Sequence, residues 1–306
     1  MLRLQFIICY YIIMSYILNK LVGLSNIGNT CYMNSTLQAL FGSNIFNNVL
    51  FLYLKKYPNC IDNISYMLKA YISLVIEISR TNNSFYNPAE FKTILGKEND
   101  LFFGYQQQDA HELLVYLVND FCDDKKSKKI SQLIKKLCFG KYKQYVYCKS
   151  CRNTSITYTE FFDINLQIPN KSNITLKDCF EEEFLKIDRL DDDNKYFCNT
   201  CQTKTVANKK IEIESVPDVL FISLKRFTNN NKISTPVKIC HNINLENKKL
   251  ELVSTINHYG GCGGGHYTAN VKKNGSWYNA NDSSINNINF SLEDPSIYVM
   301  VYQFCD

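Results

Sequence analysis

The stretch GLSNIGNTCYMNSTLQAL, residues 23–40, changes backbone habit halfway along. A turn-forming Gly28-Asn29-Thr30 gives way to a segment in which Met33, Leu37, Leu40 and Phe41 recur at i, i+4, i+7 and i+8, one face of a helix. Asn29 and Thr30 are residue types that cap helix starts, so Cys31 is expected in the first turn. Unpaired N–H groups and aligned peptide dipoles favour negative charge there and lower a thiol's pKa. Position alone still leaves a bland first-turn cysteine as reasonable a reading as a nucleophile.

A nucleophile needs a base, and the candidates are His111, His241, His258 and His266. His266 lies in GGCGGGHYTANV (260–271), where glycines would let a substrate backbone come close before a strand begins. His111 falls beside an apolar helical stripe and reads as structural, and His241 and His258 read as surface or sheet-packing residues. The base needs an orienting acceptor in its turn. Asn281 and Asp282 follow His266 by fifteen and sixteen positions, at the far end of what reads as a β-hairpin that can return them to it. Without other support this pair is simply a turn.

Further helices are expected over about 61–79, over 88–96 with Pro88 in the first turn, and over 107–121, where Ala110, Leu113, Leu114, Leu117, Val118 and Phe121 form a stripe. From about 141 the period becomes two, as in KQYVYC (143–148), SITYTEFFDINLQI (155–168), KKIEIE (209–214) and DVLFISLKRF (218–227). The run continues through LELVSTINHY (250–259), SWYNAN (276–281) and IYVMVYQF (297–304). Helices first and strands later make an α+β fold.

With 306 residues, 45% hydrophobic and 21% charged, the chain is long and apolar enough for a substantial core. The net charge of +5 comes without a run of Lys and Arg interleaved with aromatics. The brief cluster Lys125, Lys126, Lys128 and Lys129 reads as a solvated face, and no nucleic-acid partner is expected. Thirteen cysteines include two Cys-x-x-Cys pairs, Cys148/Cys151 and Cys198/Cys201, each interrupting strand-like sequence as zinc knuckles do. The pairs favour a tetrahedral zinc site of four cysteines over four reduced core thiols, with FLKIDRLDDDNKYFC (184–198) looping out between them. A reducing compartment, cytosol or nucleus, follows.

Residues 1–22 form a hydrophobic extension around LQFIICYYIIMSYIL (4–18), short of the roughly 20 residues a spanning helix needs. Three readings stand open: a signal anchor, a helix or strand packed on the domain, and an upstream extension of the reading frame with Met14 as the start. Membrane attachment is expected through this segment or not at all.

GLSNIGNTCYMNSTLQAL, YQQQDAHELL (105–114), the paired Cys-x-x-Cys, VLFISLKRF (219–227) and GGGHYTANVKKNGSWYNANDSSI (263–285) occur in an order that resembles the ubiquitin-specific protease family of cysteine deubiquitinases. The resemblance runs from about residue 23 to the C-terminus. It implies a papain-like cysteine protease fold with a helical thumb (about 23–130), and β palm and zinc-ribbon β fingers (about 131–306). Cys31 matches the family nucleophile, His266 the general base, Asn281 the third triad member and Asp282 the acidic position beside it. Asn26 matches the residue whose amide completes the oxyanion hole. Asp109 matches the acidic residue that meets an arginine of ubiquitin's tail, and Gln108, Gly265 and Tyr267 fall among the substrate-binding positions. Ubiquitin and ubiquitinated proteins are the implied partners, and Zn2+ the implied structural cofactor at Cys148, Cys151, Cys198 and Cys201. Ala280 and Asn270 depart from the pattern, where aromatic residues are frequent. The rival readings are a protease for a ubiquitin-like modifier and a catalytically weak ubiquitin-binding scaffold.

Overall fold

The computed structural model describes residues 21–123, 127–228 and 231–305. The apolar run at 4–18, with Met14, lies outside these residues, as do Lys125 and Lys126. Among the described residues no helix is long and apolar enough to cross a membrane.

A short strand β1 (Gly23–Leu24) pairs in parallel with β2 (Phe85–Tyr86). Around this pair the helical lobe is built from α1 (Cys31–Gly42), α2 (Asn44–Lys56), α3 (Tyr66–Arg80), α4 (Ala89–Glu98), α5 (Ala110–Phe121) and α6 (Lys128–Cys138). Side chains set several of the starts. The Ser43 hydroxyl accepts from Phe46 N–H at α2, Ser65 from Leu68 N–H at α3, and Asp109 from the N–H groups of His111 and Glu112 at α5. Residues Pro58–Asn63 form a 3-10 turn, so the helix expected from 61 begins only once Ser65 caps it. Pro88 sits at the N-cap of α4, one position before the first turn. Thr30 is the N-cap of α1, but its hydroxyl accepts from Ile27 N–H and leaves the helix uncapped by a side chain. Helix α6 lies where the lysine cluster stands. Lys128 and Lys129 are exposed, while Ile130, Ile134, Leu137 and Cys138 turn inward.

The sheet lobe comprises β3 (Gly140–Cys148), β4 (Thr154–Phe161), β5 (Asp163–Leu166), β6 (Ile174–Thr175), β7 (Asp188–Leu190), β8 (Tyr196–Cys198), β9 (Thr203–Thr205), β10 (Ala207–Ser215), β11 (Val219–Leu224), β12 (Val237–Lys238), β13 (Asn242–Leu245), β14 (Lys248–Gly261), β15 (Gly264–Lys273), β16 (Ser276–Asn281), β17 (Ser284–Ile288) and β18 (Ile297–Phe304). A central sheet runs in the order β17-β16-β15-β14-β18-β11-β5, with β13 on β14. A second sheet, β4-β3-β10-β7, projects from it and ends near the β8-β9 hairpin.

The central sheet is covered on both faces, which is why β11 reads VLFISL without alternation. Successive side chains point to opposite faces. Val219 and Phe221 of β11, with Val299 and Val301 of β18, join the core of the helical lobe. Leu220, Ile222 and Leu224, with Met300 and Tyr302, join a second core. That second core contains Leu176 and Cys179 of α7 (Leu176–Phe184), which begins at a capping box formed by Thr175 and Asp178.

Residues 184–198 do not loop out as the sequence led us to expect. Asp188, Arg189 and Leu190 pair with Lys209, Asn208 and Ala207, and so satisfy backbone groups along the open edge of β10. Both faces of this small strand meet water, so no apolar alternation announces it.

Candidate active site

Helix α1 packs against β15, and this meeting of the two lobes brings Cys31 to the strand that carries His266 and Tyr267. Cys31 is 4% exposed. The backbone N–H groups of Tyr267, and of Tyr32 and Cys31 itself at the helix start, favour the charged form of its sulfur. Burial pushes the thiol above its ordinary value, the Tyr267 N–H draws it back and the Asp282 carboxylate pushes it up again. The lowered pKa expected from a helix N-terminus is therefore not found: removing water from the sulfur outweighs the donors around it.

His266 immediately precedes Tyr267, on the same end of β15. Its Nε2 lies 2.7 Å from Asn281 Oδ1. An amide oxygen can only accept, so Nε2 carries the proton and Nδ1 is left as the basic nitrogen. Asn281 ends β16, and the two-residue turn Asp282-Ser283 leads into β17, with Asp282 at a φ of 49°. Asp282 faces away from His266. Its carboxylate accepts from Asn26 Nδ2 at 3.0 Å and from Asn34 Nδ2 at 2.7 Å, and its carbonyl accepts from Leu24 N–H. Asn26 Oδ1 in turn accepts from the N–H groups of Gly28 and Thr30. The hairpin turn thus grips the loop that leads into Cys31.

Asp109 is fully engaged. Beyond capping α5, its carboxylate accepts from the hydroxyls of Tyr267 at 3.1 Å and Tyr298 at 3.1 Å. Burial, and then the Asp109 charge, push both phenols up, so both remain donors. This carboxylate ties the helical lobe to β15 and β18, and its partners are all internal. His111, beside it, binds Asp163 through Nε2 at 2.8 Å and likewise joins α5 to the sheet.

Gly265 lies over His258, and a Cβ there would come 2.2 Å from His258 Nε2, which leaves glycine as the residue that fits. Burial, followed by the nearby Lys232 ammonium, lowers His258 to about 4 and keeps it neutral. It meets Phe227 edge-on and Tyr267 at a tilt. Residues Gln107 to Asp109, Phe227, His258, Gly261 to Gly265 and Tyr267 line an open cleft of about 320 Å3. Within this lining Gln108 donates to Leu101 C=O, whereas Gln107 reaches Gly265.

The two departures from the family pattern are accommodated in different ways. Ala280 packs with Ala269, Val271 and Leu21 in a small apolar cluster. Asn270, 4% exposed, sits mid-way in a ladder across three strands: Asn279 Nδ2 donates to its Oδ1, and its Nδ2 donates to Asn257 Oδ1.

At the far end of the second sheet, Cys148, Cys151, Cys198 and Cys201 bring four sulfurs within 4.8 Å of one another. The Cys148–Cys201 and Cys151–Cys198 separations are 4.0 and 3.6 Å. Four thiolates around one tetrahedral ion at about 2.3 Å would stand roughly 3.8 Å apart, so the cluster fits such an ion. The knuckles share a backbone: Arg152 N–H donates to Cys148 C=O and Gln202 N–H to Cys198 C=O, each from a residue with positive φ.

Sequence reasoning did not single out Asn34, Gln107 or Tyr298, and it read His258 as a surface or sheet-packing residue. Asn34 had no distinct signal, since Ser35, Thr36 and Gln38 of the same helix are polar and buried as well. Tyr298 is brought in by strand pairing across a long separation, and Gln107 by the segment before α5, which crosses to Gly265.

A helical lobe and a covered sheet that meet at a first-turn cysteine and a histidine–asparagine pair form a papain-like cysteine protease fold. The chain belongs to the ubiquitin carboxyl-terminal hydrolase family, whose model matches residues 22–302. It is 28% identical to ubiquitin carboxyl-terminal hydrolase 2 of Bos taurus over 92% of this chain and 55% of that protein. To ubiquitin carboxyl-terminal hydrolase 48 of Gallus gallus it is 30% identical, over 87% of this chain and 28% of that one. It therefore spans about half the length, or less, of these relatives. Among solved structures it resembles the SAGA DUB module of Ubp8, Sgf11, Sus1 and Sgf73 bound to monoubiquitin, with a TM-score of 0.80 and 25% identity over 95% of this chain and 70% of that one. The same module bound to ubiquitin aldehyde, at 24% identity and a TM-score of 0.80, matches in fold.

Proposed function

We propose that this protein is a thiol-dependent deubiquitinase that hydrolyses the isopeptide or peptide bond at the C-terminal glycine of ubiquitin. The observation that carries the reading is the His266–Asn281 bond of 2.7 Å, at the end of β15 where the Tyr267 N–H favours the Cys31 thiolate. Family membership and the ubiquitin-bound structural neighbours support the same substrate.

In the proposed mechanism His266 Nδ1 takes the Cys31 proton, and the sulfur attacks the glycine carbonyl carbon. Asn281 holds the imidazole in the tautomer this step needs. Asn26 Nδ2 gives one hydrogen to Asp282 and directs the other at the oxyanion, together with N–H groups of the α1 start. The C–N bond then breaks, His266 returns the proton to the departing amine, and a thioester remains. Water deprotonated by His266 attacks that thioester, the C–S bond breaks, and the thiol is restored.

Zinc is the ion we assign to the four-cysteine cluster. All four donors are cysteine sulfurs at tetrahedral spacing far from the thiol chemistry, so its part is to hold the finger tips together. Ubiquitinated proteins are the proposed substrates, and the cytosol or nucleus the proposed compartment, which is supported by the described cysteines being thiols rather than disulfides.

The test is ubiquitin carrying a thiol-reactive C-terminal warhead, mixed with wild type and with Cys31→Ala. Adduct on wild type alone is expected. Tight ubiquitin binding without adduct would instead make this a scaffold, and preferential reaction with a ubiquitin-like modifier's warhead would move the substrate class.

A further inference from the structure

One edge of β15 is only half covered. β16 pairs with Ala269–Lys273, while β14 covers the opposite edge from Gly264 onward. An extended strand turns the N–H and C=O of alternate residues to the same side, so Gly265 and Tyr267 face the open edge together. At Tyr267 this edge is turned to Cys31, whose thiolate its N–H favours. At Gly265 a single side chain takes both groups: the N–H donates to Gln107 Oε1 at 3.2 Å, and the C=O accepts from Gln107 Nε2 at 3.3 Å.

A carboxamide carries the same donor and acceptor as a peptide group, so Gln107 satisfies Gly265 as a neighbouring strand would. It does so from the segment before α5, across the cleft of about 320 Å3 that Gly261 to Gly265 line. No core packing keeps it there, because Gln107 is exposed and both bonds lie in solvent.

We propose that Gln107 is a displaceable strap: its carboxamide occupies the place that peptide groups of the ubiquitin tail take when the tail docks as an added strand on the open edge of β15. This rests on the deubiquitinase reading. β16 closes the edge from Ala269 on, so a tail whose scissile carbonyl lies at Cys31 must run toward Gly265. The residue that displaces Gln107 then lies two positions upstream of that carbonyl, about 7 Å along an extended chain. Binding must first break the two bonds of the strap, which lowers the apparent affinity for the tail without touching the sulfur.

The experiment compares wild type with Gln107→Ala in two reactions: labelling by ubiquitin with a C-terminal warhead, and alkylation of Cys31 by iodoacetamide, followed on the Cys31 peptide by mass spectrometry. The expected result is a second-order ubiquitin labelling rate about three- to tenfold higher in Gln107→Ala, the range one net hydrogen bond supplies. Alkylation by iodoacetamide is expected to stay within about twofold by the same scale. Unchanged or slower ubiquitin labelling of Gln107→Ala overturns the strap, since Gln107 would then hold the tail or do nothing to it. An equal rise in both reactions also overturns it, because Gln107 would be masking the thiol itself. If wild type takes iodoacetamide at Cys31 but never the ubiquitin probe, the deubiquitinase reading fails first and the strap falls with it.

Discussion

Cys31 and the four finger cysteines are one functional group in two settings. Around Cys31 the fold removes water, offers backbone N–H groups and sets a carboxylate nearby, and the balance leaves a thiol above its ordinary pKa. At the fingers Cys148 and Cys198 are as buried as Cys31, and Cys151 and Cys201 are half-buried, but among the described residues no histidine stands by to take a proton. Two short knuckles with matching backbone bonds bring sulfurs to within 3.6 to 4.0 Å, a spacing suited to sharing an ion. The difference shows that a helix start alone does not make a reactive sulfur; its proton acceptor and its exclusion from water decide what it does.

The largest effects separate the two settings outright. Cys31→Ala should abolish ubiquitin adduct formation and leave zinc content by elemental analysis unchanged. Cys148→Ser should do the reverse for the metal, with Cys31 still alkylated by iodoacetamide and ubiquitin binding weakened. Loss of metal in Cys31→Ala would break the comparison. Next in size is Asn26→Ala, which removes one oxyanion donor and should lower turnover of a fluorogenic ubiquitin substrate by about 10²–10³, with little change in ubiquitin affinity. A change confined to affinity would place Asn26 elsewhere in the reaction.

Smaller effects sharpen the picture. In Asn270→Ala the amides of Asn257 and Asn279 lose a buried partner, so the unfolding free energy should fall by about 1–3 kcal/mol. Denaturant titration reads this directly. Alkylation of Cys31 in the free protein should rise with pH through a midpoint above that of an ordinary thiol, since burial raises it; a midpoint below neutrality would show a resting thiolate. His258, lowered to about 4, binds its proton more weakly in the folded chain than in the unfolded one. Its contribution to stability is therefore complete above about 6.5 and is lost as pH falls toward 4. Thermal unfolding across that window should decline more steeply for wild type than for His258→Gln.

Much of this architecture was legible because period and caps act locally. The helical stripe of α5 and the period-two runs of β3, β10, β14, β15 and β18 are written in neighbouring residues; β11 is expected as a strand of the same period, whereas cover on both faces buries every one of its residues. What escaped depends on partners far along the chain. β7 exists because β10 has an edge to fill, and its charged sequence gives no hint of it. Nothing beside Asp109 in sequence indicates that Tyr267 and Tyr298 come to its carboxylate. The thiol's raised pKa escaped for a related reason, because α1's dipole is local while the burial of Cys31 is created by β15. Gln107 and Gln108 are identical neighbours in the sequence, and only the path of β15 distinguishes them.

Asn281 and Asp282 are joined by one peptide bond, yet the first touches His266 and the second touches Asn26 and Asn34. The imidazole and the nucleophile loop are thus geared to a single hairpin tip. A push on β17 or on that tip would throw both out of register at once, so this centre should switch between assembled and idle as a unit and hold no half-aligned intermediate.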